Sequence, residues 1–142
     1  MSQFSDYAEP KILDALFNGV ALTGPNSSYV ALYTATPTDV TASGTEVTGG
    51  AYARVKVEKN GGSVPVWALA VVDAPGFVVD NANTITFPTA TANWSGPVNS
   101  FAIYDHVTTG NLLMWGPLTA TKTVNANDTF KFNIGDLNLR CE

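Results

Sequence analysis

Short aromatic segments recur along the whole chain, and they constrain its fold more than any other feature. Tyr29–Thr34, Ala51–Val57, Ser100–Asp105 and Asn111–Gly116 each alternate or cluster apolar residues as a strand does. Within 52–57, Tyr52, Arg54 and Lys56 are expected on one face and Ala53, Val55 and Val57 on the other. Further strands are expected at Thr84–Phe87, Thr119–Val124 and Thr129–Ile134, with turns at Gly24-Pro25-Asn26, Asp80–Asn83, Asn93–Pro97 and Asn125–Asp128. Strands this short and evenly spaced predict a mainly β fold, an antiparallel sandwich or a jelly-roll. No internal repeat and no linker interrupts them, so residues 1–142 read as a single domain.

Three segments depart from that pattern. Near the start, Ser5 and Asp6 are good N-cap residues, and Asp6 with Glu9 resembles a capping box. Pro10 falls early, and Ile12, Leu13, Leu16, Phe17 and Val20 share one helical face before Asn18-Gly19 stops the helix. That face either covers one end of a sheet or docks a neighbouring subunit. The second segment, Thr36–Gly50, has almost no large apolar residue and predicts a long functional loop. The third, Val64–Val79, is apolar on both faces around the turn Asp73-Ala74-Pro75-Gly76. A hairpin of that kind is either buried in the domain or covered by another chain.

Composition removes several functional classes. Charged residues make up 13% of the chain, about half the usual share, and the formal net charge is −5. Lysines and arginines are scattered singly, so the positive footprint of a nucleic-acid binder is missing. The longest apolar run, Val64–Val72, holds a proline and is far shorter than the ~20 residues of a membrane span. The N-terminus lacks the basic and apolar regions of a signal peptide, which predicts synthesis in a host cytoplasm. Cys141 has no second cysteine in the chain to pair with and reads as a free thiol on a tail.

Catalytic constellations are equally thin. His106 is the only histidine, and Asp105 beside it points elsewhere on a strand or turn. There is no nucleophile elbow, no phosphate-cradling glycine loop ending in Gly-Lys, and no ligand spacing for zinc or calcium. The expectation is a non-enzyme with no catalytic residues, no cofactor and no metal. Trp67, Trp94 and Trp115 suit a core or a protein interface better than sugar stacking.

Several segments, in order, carry a resemblance. They are Ser5-Asp6-Tyr7 leading into a helix, Tyr29–Asp39, Gly44–Val47, Gly49–Val55, Phe101–Asp105, Gly110–Leu113 and Lys122–Thr129. Together they resemble small virion proteins of tailed bacteriophages, often labelled tail fibre proteins, some of which are capsid cement (decoration) proteins. The resemblance implies a β-rich part assembled on the virion, with no catalytic residues to carry over. As a cement protein it would be a homo-oligomer, dimer or trimer, bound to the major capsid protein at subunit junctions on the capsid exterior. As a tail-fibre or baseplate component it would meet the host surface through Thr36–Gly50 and Trp94. The aromatic N-terminus and the apolar hairpin nominate Phe4, Tyr7, Val66, Trp67, Val71, Val72, Phe77 and Val79 as the interface.

Overall fold

The computed structural model describes residues 3–41 and 43–141. In chain order these form β1 (Gln3–Phe4), α1 (Ala8–Phe17), β2 (Ser27–Ala35), β3 (Thr45–Glu46), β4 (Val55–Glu58), β5 (Val71–Asp73), β6 (Gly76–Asp80), β7 (Ile85–Thr86), β8 (Val98–Tyr104), β9 (Leu112–Lys122), β10 (Lys131–Phe132) and β11 (Asn138–Cys141). The main sheet runs β1-β9-β8-β2-β3, and β4 also pairs with β2. Two small sheets, β10-β7 and β11-β6-β5, complete the architecture, and every strand pair is antiparallel. The result is the mainly β, sandwich-like fold that the strand pattern predicts, with one short helix.

Alternation along the central strands divides the interior in two. From β2 and β8, Val30, Leu32, Phe101 and Ile103 enter the larger core, while Ala31, Tyr33, Ala102 and Tyr104 face the other side. The larger core is aromatic around the fully buried Phe87, whose ring meets Tyr52, Trp94, Phe130 and Phe132. Most of these pairs are edge-to-face, the arrangement that the ring quadrupoles favour. The second face is roofed by the 36–44 segment. There Thr41 Oγ1 accepts from the Leu112 N–H at 3.2 Å, and the Trp115 indole N–H donates to Asp39 Oδ1 at 3.1 Å.

Local departures from the strand pattern have physical causes. The segment 36–50 is a cover with a strand inside it. β3 pairs with β2 across a bulge, and Pro37 and Val47 are fully buried. The strand expected from Tyr52 begins only at Val55, because Gly49, Gly50 and Ala51 all take positive φ. At Gly50 a Cβ would come within 2.2 Å of the Ala92 carbonyl oxygen, so glycine is required there. Hence the two side chains part: the Tyr52 ring packs into the aromatic core and Arg54 lies over Tyr104, while the Tyr52 hydroxyl and the Arg54 guanidinium both reach Glu46. The segments 111–116 and 119–124 are largely one strand, β9, with register shifts against β8. Cys141 ends β11 opposite Phe77, so its backbone is part of a sheet and no tail; its thiol lies outside the described residues.

The helix forms where the periodicity places it, and Ser5, not an Asp6–Glu9 capping box, meets its first N–H groups. The Ser5 carbonyl accepts from the N–H groups of Ala8 and Glu9, and Ser5 Oγ accepts from Ala8 N–H at 3.3 Å. Ser5 is itself fully buried and donates its hydroxyl to the Leu112 carbonyl, which ties the helix start to β9. At the other end the Asp14 carbonyl accepts from Asn18 and Val20, with Gly19 at φ 67°.

Candidate functional site

No residue of α1 is buried, and its apolar side is open to solvent. Leu13, Leu16 and Phe17 follow the i, i+3, i+4 spacing, and Leu16 and Phe17 are 71% and 78% exposed. The apolar surface continues through Val20 and Leu22. Glu9 is on the same stripe, four residues before Leu13, and Asp14 flanks Phe17. Lys11 turns away, its ammonium 4.6 Å from the Tyr7 ring centre. Of the two readings of this face, covering a sheet is therefore overturned: the sheet beside α1 leaves the stripe in solvent.

The second exposed apolar surface is the hairpin β5-β6. Its turn lies at Ala74-Pro75 between the paired Asp73 and Gly76, where the sequence places it, and the Ala74-Pro75 peptide bond is cis. Val72 and Phe77 face each other across the pair at 72% and 56% exposed, with Leu69 and Val71 also in solvent. Val78 points inward and is buried. The Arg140 guanidinium of β11 bridges to Asp73 of β5 and clamps the three strands together.

The residues nominated from the sequence fall into three groups. Val71, Val72 and Phe77 form the exposed hairpin surface. Val66, Trp67 and Val79 are half-buried behind it. Trp67 packs on the main core, and its indole N–H donates to Ser28 Oγ at 2.8 Å. Phe4 and Tyr7 belong to the α1 end: Phe4 pairs with Met114 and packs on the core, and Tyr7 lies under Lys11. The α1 stripe is a second exposed apolar surface, and helical periodicity is the sequence signal for it. Trp94 is 5% exposed and donates its indole N–H to the Gly50 carbonyl, so it is the core residue that the sequence favoured and not the host-contacting one of the tail-fibre alternative.

A polar cluster that the strand pattern does not reveal lies under the 36–44 cover. Arg54 grips Glu46 with two parallel bonds of 2.9 and 2.8 Å, and its third nitrogen donates to the carbonyls of His106 and Thr109. The guanidinium lies 3.8 Å from the Tyr104 ring centre. Burial alone would lower the Arg54 pKa, but its bonds and charge interaction with Glu46 outweigh that and raise it. Tyr33 and Tyr104 share a hydroxyl hydrogen bond of 2.6 Å. Burial first, then this bond, pushes the Tyr33 pKa up; burial and the Glu46 carboxylate do the same for Tyr52. This arrangement locks β3, β2 and the 105–110 turn together. His106 sits in that turn, its Nδ1 3.0 Å from Thr109 Oγ1. Among the described residues no three of His, Cys, Asp and Glu come together as a metal ion would need, and no helix is long and apolar enough to cross a membrane.

A groove of about 930 Å³ opens between the second half of β9 and the 128–140 segment. Phe101, Leu118, Phe130 and Phe132 form its apolar part, and Lys122, Lys131 and Arg140 its basic rim. In comparisons with known proteins, the family model described as Podophage GP4 fiber I protein gp80 matches residues 3–140. No curated protein matches the chain.

Proposed function

Because the chain belongs to the Podophage GP4 fiber I protein gp80 family of small phage virion proteins, we propose that it is a non-catalytic fibre component, held in the virion through its two exposed apolar surfaces. The observation that carries this reading is the exposure of Leu13, Leu16, Phe17, Val72 and Phe77 on a fold whose aromatic core is otherwise closed. Monomeric proteins rarely leave apolar patches of this kind open unless a partner covers them. The family description favours the fibre over the capsid shell, and the cement role is the competing assignment. In that role the same surfaces would bind the major capsid protein at subunit junctions on the capsid exterior.

Copy number separates the two. Quantitative mass spectrometry of purified virions should find this chain far below the major capsid protein. A ratio near one to one would instead make it a decoration protein. A Val72→Ser/Phe77→Ser variant tests the surfaces themselves: it should fold as the wild type does and fail to enter virions. Normal incorporation of that variant would remove the hairpin from the interface.

A further inference from the structure

We propose that Asn18-Gly19, at the stop of α1, is a site of spontaneous deamidation whose product undoes the end of the helix. The chain holds two Asn-Gly steps, Asn18-Gly19 and Asn60-Gly61. Glycine makes such a step reactive, because without a Cβ its backbone nitrogen is open and the chain turns freely toward the asparagine side chain. Only water and base are needed. Base removes the Gly19 amide proton, the nitrogen attacks Asn18 Cγ, and the new C–N bond closes an imide ring as Nδ2 leaves as ammonia. Water then opens the ring at either carbonyl, giving aspartate or its β-linked isomer. An amide has become an acid, and nothing is oxidised or reduced.

The two steps are held differently. Asn18 and Gly19 are exposed, a Cβ on Gly19 would meet nothing within 4 Å, and residues 19–25 lie in neither helix nor strand. Turning the Asn18-Gly19 peptide toward the side chain gives up two bonds, from Val20 N–H to the Asp14 carbonyl and from the Asn18 amide to Asp14 Oδ1. Around Asn60 the loop is tied at more points. Lys59 N–H donates to the Asn26 carbonyl, Gly62 N–H to the Lys59 carbonyl, Ser63 N–H to Glu58 Oε2 and the Asn60 amide to the Trp67 carbonyl. Asn18 is therefore the faster of the two.

Asp14 decides what the reaction does to the fold. Asn18 Nδ2 donates to Asp14 Oδ1 at 2.7 Å, and the Asn18 backbone N–H donates to the Asp14 carbonyl. Deamidation replaces the side-chain donor by a carboxylate, so two negative charges meet four residues apart along the helix. The new charge also stands at the C-terminal end of α1, where the helix dipole presents its negative pole, and no basic residue in the last turn offsets it. That turn carries the exposed Leu16 and Phe17, so a chain that ages before assembly loses the end of its apolar stripe. Only this last consequence rests on the virion reading.

Ageing the full chain tests the chemistry. After incubation in warm, mildly alkaline buffer, peptide mass spectrometry should find the amide-to-acid mass gain at Asn18 first, as aspartate and its isomer together, and at Asn60 later. Asn18→Gln should abolish the early gain. An Asn18 that keeps its amide while Asn60 converts, or that converts only once the chain is unfolded, would overturn the proposal. Asn18→Asp tests the structural effect. Hydrogen exchange at the backbone amides of residues 18 and 20, both bonded to the Asp14 carbonyl in the wild type, should quicken by about two- to fivefold. High salt should narrow that difference, and Asn18→Asp/Asp14→Asn should bring exchange back toward the wild-type rate, because one of the facing charges is gone. Wild-type exchange in Asn18→Asp, or no recovery in the double variant, would overturn the link to Asp14. None of those outcomes touches the copy-number test of the virion role.

Discussion

Asn81 has no exposed surface and spends its whole side chain on holding three segments together. Its amide nitrogen donates to the carbonyls of Asn83 and Asn133, and its oxygen accepts from Leu137 N–H at 2.9 Å. In sequence it is one more turn asparagine, because nothing local encodes partners more than fifty residues away. Asn81→Leu would take this partner from the Leu137 N–H and from the carbonyls of Asn83 and Asn133, and should cost about 2–4 kcal/mol in a urea titration. Tyr52 has a comparable role, accepting from Leu32 N–H and donating to Glu46. The tyrosines also set an alkaline limit. Tyr33 and Tyr52 have folded-state pKa values above the 10.0 of a free tyrosine, so the fold favours their neutral forms. That contribution is whole below pH 10.0 and is lost as pH rises, because the unfolded chain then releases its protons first. Melting temperature should fall above pH 10.0, and Tyr33→Phe/Tyr52→Phe should flatten that decline. An equally steep decline in the variant would place the alkaline sensitivity elsewhere.

At the level of elements, the helix and the hairpin are in the molecule but add little to its core. Phe17 and Trp94 are both large aromatics, yet one is 78% and the other 5% exposed. Phe17→Gln should therefore change stability by no more than about 0.5 kcal/mol, whereas Trp94→Ala should cost about 3–5 kcal/mol; thermal melts of the two variants make the comparison. The existence of α1, its stop at Asn18-Gly19 and the Asp73–Gly76 turn were legible, because helical period and turn chemistry act within a few residues. So were β2 and β8, whose alternation is uninterrupted. The strand Val55–Glu58 was misplaced at its start because positive φ at three successive residues breaks the alternation before Arg54. β3 was hidden because two residues carry no period, and its pairing is set by the distant Tyr33. Which side of α1 stays open was equally unreadable, since an apolar stripe looks the same whether its cover lies in the same chain or in another.

For the whole molecule, the question is what opposes contact between copies that each carry two open apolar surfaces. The net charge of −5 is the available repulsion, and it vanishes near the isoelectric point of about 4.6. Above that pH like-charged molecules repel, and contact must be made where charges are complementary. Close to it, apolar surfaces on any two molecules can meet without electrostatic opposition. Light scattering at fixed protein concentration should thus rise sharply as pH is lowered toward 4.6. A Leu16→Gln/Phe77→Gln variant keeps the charge and the core but reduces both patches, so its scattering should stay low through the same pH range. Identical curves for the two proteins would mean that these surfaces are not adhesive, and would send the search for the assembly contact to the polar faces instead.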